Sequence, residues 1–237
     1  MDYCALKNKK LIIFDLDGTL IDSLDMWNKV DATLVRAIRG DGKTAEQEMQ
    51  PLRDEALRLF SHSPNPYVDY CGYLKEKFKS NYSQEEIYKL RYEIASELVE
   101  NEVKYKPFAP EFIKKLKRDG KVLVIASAAQ RKNIEIYRNL NKNILSTAKM
   151  DDYFSLILAR NDCKEIKPNP EIFLKVFESF PFKKEEAIIF EDSLVGVQAS
   201  KRIGVECCIV YDKHSDYERE EINALADYTI ASFEELL

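Results

Sequence analysis

The chain has 237 residues, of which 45% are hydrophobic and 32% are charged, a composition typical of a globular protein and unlike that of a disordered or fibrous one. Its formal net charge of −5 provides no basic surface, so we expect neither nucleic acid nor a membrane as a partner. Five cysteines without CxxC spacing predict neither a disulfide framework nor a zinc site. The N-terminus leads directly into a strand pattern without a long apolar segment, so we predict a cytoplasmic protein with reduced thiols.

The predicted elements begin with one apolar strand, residues 11–15, which stands apart from the other strands. From about residue 24 to residue 104 the pattern changes to successive amphipathic helices, predicted over 25–39, 44–60, 67–79 and 83–104. We therefore predict a helical domain, residues 23–105, inserted after the first strand.

Beyond this insert, short apolar runs alternate with amphipathic segments. The runs that predict strands are 121–127, 154–159, 186–192 and 205–211. This alternation is typical of a parallel sheet with helices on both faces. We predict a doubly wound, Rossmann-like α/β core domain, formed by residues 1–22 and 106–237.

Polar residues follow several of these strands at the edge where open parallel sheets bind ligands. They are Asp15 and Asp17 after the first strand, Ser127, Lys167 in a later loop, and the pair Glu191 and Asp192. Clustered carboxylates repel one another unless a cation lies among them, and Mg²⁺ prefers oxygen ligands. We expect Mg²⁺ bound by the carboxylates of Asp15 and Asp192 and the backbone carbonyl of Asp17, with Glu191 reaching the metal only through a water.

Four motifs in order carry a resemblance to a known family. They are DLDGT (15–19), Ser127 after an apolar strand, Lys167 in KPNPEIF, and EDSLVGVQASKRIG (191–204). Together they resemble the haloacid dehalogenase superfamily, in the branch that contains phosphoglycolate phosphatases and β-phosphoglucomutases. In that branch the helical insert is a cap domain, so the resemblance implies a helical cap over residues 23–105.

The resemblance also implies a role for each motif. Asp15 is the expected nucleophile, which forms an aspartyl phosphate. Asp17 is expected to protonate the leaving oxygen and then to deprotonate the attacking water. Ser127, the backbone of Ala128 and the ammonium of Lys167 are expected to bind the phosphoryl group. In the same motif, Asn169, Pro170 and Glu171 predict the start of a helix.

We therefore expect a monomeric, magnesium-dependent phosphatase acting on a small phosphorylated metabolite, such as a sugar or polyol phosphate or a molecule like phosphoglycolate. The alternative is a β-phosphoglucomutase-type mutase. In the mutase pattern a histidine follows the first motif, and the matching position here is Trp27. This departure favours the phosphatase.

Two rivals come from other classes of protein. A signalling receiver domain also uses an aspartate, a hydroxyl and a lysine on a doubly wound sheet. It requires neither an acid two residues after the nucleophile nor a long helical insert. A non-catalytic binding module would not require a full set of catalytic side chains, and a phosphate-release assay would separate it from an enzyme.

Overall fold

A computed structural model describes residues 3–39 and 48–237 of the chain. The predicted helix over 44–60 begins, among these residues, at Met49, and its first four positions lie outside the described part. The α-helices of the described residues are α1 (Leu24–Arg39), α2 (Met49–Leu59), α3 (Pro66–Phe78), α4 (Gln84–Asn101), α5 (Ala109–Arg118), α6 (Arg131–Asn139), α7 (Lys142–Thr147), α8 (Met150–Tyr153), α9 (Glu171–Ser179), α10 (Leu194–Ile203) and α11 (Arg219–Leu225). Within the same residues no helix is both long and apolar enough to cross a membrane.

The strands form one large sheet and one small one. They are β1 (Leu11–Phe14), β2 (Ile21–Asp22), β3 (Lys104–Tyr105), β4 (Val122–Ala126), β5 (Phe154–Leu158), β6 (Ala187–Glu191), β7 (Glu206–Val210) and β8 (Tyr228–Ile230). Within the described residues, the large sheet has six parallel strands in the order β5-β4-β1-β6-β7-β8. The doubly wound parallel sheet predicted from the sequence is thereby confirmed. The prediction missed β8 and the short antiparallel pair of β2 with β3.

Apolar side chains cover both faces of the sheet. On one face, alternate residues such as Leu11 and Ile13 pack with the apolar sides of α9, α10 and α11. On the other face, Phe14 lies among aromatic rings, with ring centroids 5.1 Å from Phe190 and 6.2 Å from Phe112 of α5. Burial on both faces explains why these strands are continuous apolar runs and not alternating ones.

The described chain divides into two compact units. The core unit contains Met1–Asp22 with Lys104–Leu237, and the helical unit contains Ser23–Val103. The second unit consists of α1 to α4, whose apolar residues form a core of their own. Its last helix begins with a capping box, in which Ser83 and Glu86 each accept a hydrogen bond from the backbone N–H of the other. The role of this unit as a cap stays a prediction.

A buried ion-pair cluster lies within the helical unit. Asp31 is fully buried and accepts hydrogen bonds from two guanidinium groups, from Arg53 at 2.5 Å and from Arg91 at 2.6 Å. Burial alone would raise the pKa of the Asp31 carboxyl, but the two arginines reverse this effect and lower it. The guanidinium of Arg91 also lies 4.6 Å from the ring centroid of Trp27. One carboxylate therefore holds two arginines in the core of this unit.

We predict that Asp31→Asn strongly destabilises the protein, because the amide would leave two buried guanidiniums without a counter-charge. The expected loss in the free energy of unfolding is about 3–5 kcal/mol. Urea denaturation of both proteins measures it. The control is Glu93→Gln, which removes an exposed ion pair whose side chains are 80% (Lys89) and 59% (Glu93) accessible, and should cost less than about 1 kcal/mol. Equal losses for the two variants would contradict the prediction.

Candidate active site

The register of the central strands brings the predicted site residues to one edge of the sheet. Phe14 pairs with Ile125 of β4 and with Phe190 of β6. The next residue, Asp15, donates its backbone N–H to the carbonyl of Phe190 at 2.9 Å. Since parallel strands share their direction, the residues after Phe14 and Phe190 leave the sheet side by side. Asp15 therefore lies next to the Glu191–Asp192 segment.

The ammonium group of Lys167 joins these strand ends. Its Nζ donates to Asp15 Oδ1 at 2.6 Å, to Glu191 Oε1 at 2.5 Å and to the carbonyl of Ala126 at 2.9 Å. A lysine has three donors, and all three are used here. Lys167, Asp15 and Glu191 are each buried. The structure thus brings together three residues that are widely separated in the sequence.

Glu191 has both carboxylate oxygens engaged by the protein. Oε1 accepts from Lys167, and Oε2 accepts from the Ser193 hydroxyl at 3.1 Å and from the backbone N–H of Asp192 at 3.3 Å. Its side chain lies over Gly196 of α10, where a Cβ atom would overlap the carboxylate. These contacts favour Glu191 as the residue that fixes Lys167, with a metal reached only indirectly.

Asp192 is held by a residue to which the sequence assigned no role in the site. The hydroxyl of Thr19 donates to Asp192 Oδ1 at 2.8 Å, and both side chains are buried. Thr19 ends the DLDGT motif, so the same turn that carries Asp15 and Asp17 also orients Asp192. The motif was the signal for Thr19, but only the fold shows its partner.

Asp17 lies in the turn that follows β1. Gly18 adopts a left-handed conformation with φ of 84°, and its N–H donates to the carbonyl of Ile21 at 3.0 Å, which closes the turn. The Asp17 side chain is partly exposed, and its Oδ1 accepts a hydrogen bond from the Tyr137 hydroxyl at 3.0 Å. The role of Tyr137 could not be predicted, because nothing in one sequence links a helical tyrosine to an aspartate 120 residues away.

Ser127 and Ala128 lie in the loop between β4 and α6. The backbone N–H of Ser127 donates to the carbonyl of Leu158 at 3.0 Å, and its hydroxyl oxygen accepts from the N–H of Ala129 at 3.0 Å. Ser127 is buried and Ala128 is half-buried. The hydroxyl oxygen therefore fixes the loop, while its O–H can donate to a phosphoryl oxygen.

The charges of this site fit a divalent cation. Asp15, Glu191 and Asp192 each place one carboxylate oxygen within 4.8 Å of the others. Three ionised carboxylates and one ammonium leave a formal charge of −2 in a buried cluster. A buried charge of this size is costly unless it is compensated, and oxygen ligands suit Mg²⁺. The residues present therefore fit the predicted metal.

Burial also raises the pKa of Asp15. Desolvation is the largest effect, Lys167 opposes it, and the charges of Glu191 and Asp17 add to it, so that the pKa rises from 3.8 to about 7. The pKa of Lys167 is also raised, since its carboxylate neighbours outweigh the effect of burial. Without a cation, the Asp15 carboxyl thus resists ionisation below neutral pH.

The pKa of Asp192 is raised well above its ordinary value for the same reasons. Burial is the largest cause, and the charges of Glu191, Asp15 and Asp212 add to it. Lys106 opposes the shift, and its Nζ lies 2.6 Å from Asp212. A metal ion would have to displace protons from this carboxyl as well as from Asp15.

The sequence model of the haloacid dehalogenase-like hydrolase family matches residues 12–210, which are most of the chain. The chain belongs to this family. The resemblance found in the motifs is confirmed, and a receiver domain is excluded. Among its relatives, a phosphoglycolate phosphatase from Aquifex aeolicus is 29% identical over 84% of each chain, and a phosphorylated carbohydrates phosphatase from Thermotoga maritima is 28% identical over 82% of each.

A solved structure shares the fold. The crystal structure of CbbY from Rhodobacter sphaeroides in complex with phosphate superposes with a TM-score of 0.75 at 23% identity, covering 95% of each chain. Since the family consists of hydrolases and both of these relatives are named phosphatases, the prediction of an enzyme is confirmed. The roles assigned to the individual site residues stay predictions.

We predict that Mg²⁺ stabilises the protein more at high pH than at low pH. Because the folded pKa of Asp15 is raised, its protonated form stabilises the metal-free protein below about pH 4, and this contribution is lost as the pH rises through about 7. Mg²⁺ requires ionised carboxylates, so its stabilising effect should grow over the same interval. Thermal unfolding with and without MgCl₂, at about pH 5 and about pH 8, measures the difference.

Asp192→Asn is the control for this experiment, because it should abolish most of the metal-dependent rise in Tm at both pH values. A rise in Tm of the same size at both pH values in the unmodified protein would argue against binding at these carboxylates.

Proposed function

We propose that this chain is a magnesium-dependent phosphatase that hydrolyses a small phosphorylated metabolite through an aspartyl phosphate on Asp15. The observation that carries the proposal is the buried cluster in which Lys167 bridges Asp15 and Glu191, with Asp192 beside them. A site with this many buried charges is costly for stability, so it is expected where the charges serve chemistry.

The carboxylates of Asp15 and Asp192 and the backbone carbonyl of Asp17 would hold the metal, with Glu191 at a distance of one water. When bound, Mg²⁺ neutralises negative charge on the phosphate and on the nucleophile. Thr19 orients Asp192 through its hydrogen bond of 2.8 Å, and Lys167 orients Asp15 through its contact of 2.6 Å. The protein groups thus fix the carboxylates before substrate arrives, which is the main requirement for phosphoryl transfer.

The reaction has two steps. In the first, an oxygen of Asp15 attacks phosphorus, the bond from phosphorus to the leaving oxygen breaks, and Asp17 gives that oxygen a proton. In the second, Asp17 takes a proton from a water that attacks the aspartyl phosphate. Inorganic phosphate leaves, and both aspartates return to their starting states. The Asp17 side chain is partly exposed, so it can contact the leaving group in the first step and the water in the second.

Ser127, the backbone N–H of Ala128 and Lys167 are the proposed contacts to the remaining phosphoryl oxygens, and Lys167 would exchange one of its three present acceptors for the phosphoryl group. The hydrogen bonds of Ser127 to Leu158 and Ala129 hold this loop in place. Preorganised donors of this kind stabilise the charge that develops on the phosphoryl group.

The names of the relatives support the proposed substrate class. One relative is named for phosphoglycolate and another for phosphorylated carbohydrates. We propose a sugar or polyol phosphate, or a molecule like phosphoglycolate, as the substrate of this chain. The proposal has three further parts, which derive from the sequence. The helical segment 23–105 selects the leaving group, the protein acts as a monomer, and it is located in the cytoplasm.

A panel of alkyl monoesters tests the substrate class. It contains phosphoglycolate, glycerol 3-phosphate and a set of pentose and hexose phosphates, with a phosphopeptide and a 5′-phosphorylated oligonucleotide for comparison. The value of kcat/KM should be highest for one of the small monoesters. A preference for the phosphopeptide or the oligonucleotide would refute the proposed class.

We predict that Asp15→Asn reduces phosphate release from p-nitrophenyl phosphate to the background rate, because the amide cannot act as the nucleophile. A chelator should have the same effect on the unmodified protein, and added Mg²⁺ should restore activity. Since monoester hydrolysis is accelerated by up to about 10²¹-fold in enzymes, the losses should be nearly complete. The matched control, Asp152→Asn, changes an exposed aspartate of the same unit and should keep full activity. Activity that survives either Asp15→Asn or the chelator would disprove the mechanism.

We predict that the enzyme hydrolyses β-glucose 1-phosphate without converting it to glucose 6-phosphate. Trp27 is buried against Arg91 and Tyr92, and its indole N–H can donate but not accept a proton. It therefore cannot replace the histidine of the mutase pattern. The protein is incubated with β-glucose 1-phosphate and a trace of the glucose bisphosphate. Separate assays of phosphate and glucose 6-phosphate then distinguish a phosphatase from a mutase. Isomerisation faster than phosphate release would support the mutase alternative.

A further inference from the structure

Tyr137 is a buried tyrosine whose hydroxyl reaches the proposed acid–base residue. It lies on α6, has no exposed surface, and donates a hydrogen bond of 3.0 Å to Asp17 Oδ1. Aromatic residues on amphipathic helices are usually buried for packing, and packing alone requires no hydroxyl. A buried hydroxyl is favourable only when it has a polar partner. The hydroxyl of Tyr137 thus connects the interior of the core unit with Asp17.

The backbone of Asp17 is fixed by its turn, so the place of its carboxyl group depends on the side-chain rotamer. The turn is closed by the hydrogen bond from Gly18 to Ile21, and Asp17 forms an isolated bridge with Ile21. The side chain is partly exposed, and rotation about its Cα–Cβ bond favours a few staggered positions. A hydrogen bond from a rigid group on another element favours one of these positions.

Tyr137 is such a rigid group. Its helix begins at Arg131, directly after the loop that carries Ser127, and Ile134 on the same helical face is also fully buried. The segment from β4 through the loop to α6 therefore positions both Ser127, a proposed phosphate contact, and the Tyr137 hydroxyl that binds Asp17. Catalytic side chains that are fixed by buried neighbours on regular elements are held more accurately than those on loops alone.

We propose that Tyr137 is a positioning residue for catalysis, which holds the Asp17 carboxyl where it exchanges a proton with the leaving oxygen. The inference rests on the proposed function, since it requires Asp17 to be the acid and base. Tyr137 touches neither substrate nor metal in this proposal and acts only through Asp17. It completes the orientation of the site, in which Lys167 fixes Asp15 and Thr19 fixes Asp192.

The test compares two leaving groups in the Tyr137→Phe variant. An alkyl phosphate releases a strongly basic alkoxide and needs the acid, whereas p-nitrophenyl phosphate releases a stable anion and needs it little. For the alkyl monoester ranked first by the metabolite panel, kcat/KM should fall by about tenfold, since a small displacement of a catalytic group costs up to about a hundredfold. For p-nitrophenyl phosphate, kcat/KM should change by less than about twofold.

Tyr105→Phe is the matched control, because it removes the hydrogen bond of 2.7 Å from another tyrosine hydroxyl of the core unit to the carbonyl of Ala148. It should leave the ratio of the two kcat/KM values unchanged. Thermal unfolding of both variants confirms that the assays are done on folded protein. An unchanged ratio in Tyr137→Phe, or a ratio that shifts equally in Tyr105→Phe, overturns the inference.

A double-mutant cycle with Asp17→Asn completes the test. If Tyr137 acts only through Asp17, then Tyr137→Phe should cause no further loss of kcat/KM in the Asp17→Asn background, whereas independent effects would multiply. Multiplying effects overturn the inference while the proposed function stands. If Asp17→Asn lowers kcat/KM equally for the alkyl monoester and for p-nitrophenyl phosphate, the assigned role of Asp17 is wrong. This part of the proposed function then fails, whatever Tyr137 does.

Discussion

The site depends on one buried ammonium group shared between two carboxylates. Lys167 contacts both Asp15 and Glu191, and without it three buried carboxylates would face one another. Removing one partner of a buried ion pair is strongly destabilising, because the remaining charges have lost both water and counter-charge. The loop that carries Lys167 is itself held by Glu171, which accepts hydrogen bonds from the backbone N–H groups at positions 164 and 165.

The buried charge clusters around Lys167 and around Asp31 have excess charge of opposite sign. The site cluster of the core unit contains three buried carboxylates and one ammonium group, and its excess charge is negative. The helical unit buries two guanidiniums around Asp31, and the excess is positive. In the helical unit, the aromatic ring of Trp27 lies against Arg91 and adds a favourable interaction with the cation. In the core unit the excess negative charge favours the binding of a divalent cation.

Much of the core was predictable because its signals are local. Strands buried on both faces appear as apolar runs, and ligand-binding residues follow them at one edge, so Asp15, Ser127 and Asp192 could be found from the sequence. The edge strand β8 was missed, since it has only three residues, of which the middle one is exposed, and so forms no apolar run. The helix predicted with Asn169 as its cap and Pro170 as its first residue begins at Glu171, whose N–H donates to the Asn169 side chain, so the predicted start was correct within one residue.

The partners of the site residues could not be predicted in the same way. Tyr137 stands in the segment between two of the predicted strands, and the motif shows that Thr19 belongs to the first turn. Neither pattern states which atom each hydroxyl meets, because that depends on how distant elements pack. Likewise, the Glu191–Asp192 pair predicted two acidic neighbours, and only the contacts separate the one that binds Lys167 from the one that binds Thr19.

Gly196 has a consequence for protein engineering. A glycine within a helix such as α10 costs about 1 kcal/mol relative to alanine, so replacing it is a standard route to higher thermal stability. Here the space of the missing side chain is filled by the carboxylate of Glu191. A methyl group at this position would push that carboxylate away from Lys167 and disturb the charge balance around Asp15. Helix α10 is therefore less stable than it would be with alanine at position 196. This lower stability is required for the Glu191 carboxylate to occupy its place beside Lys167.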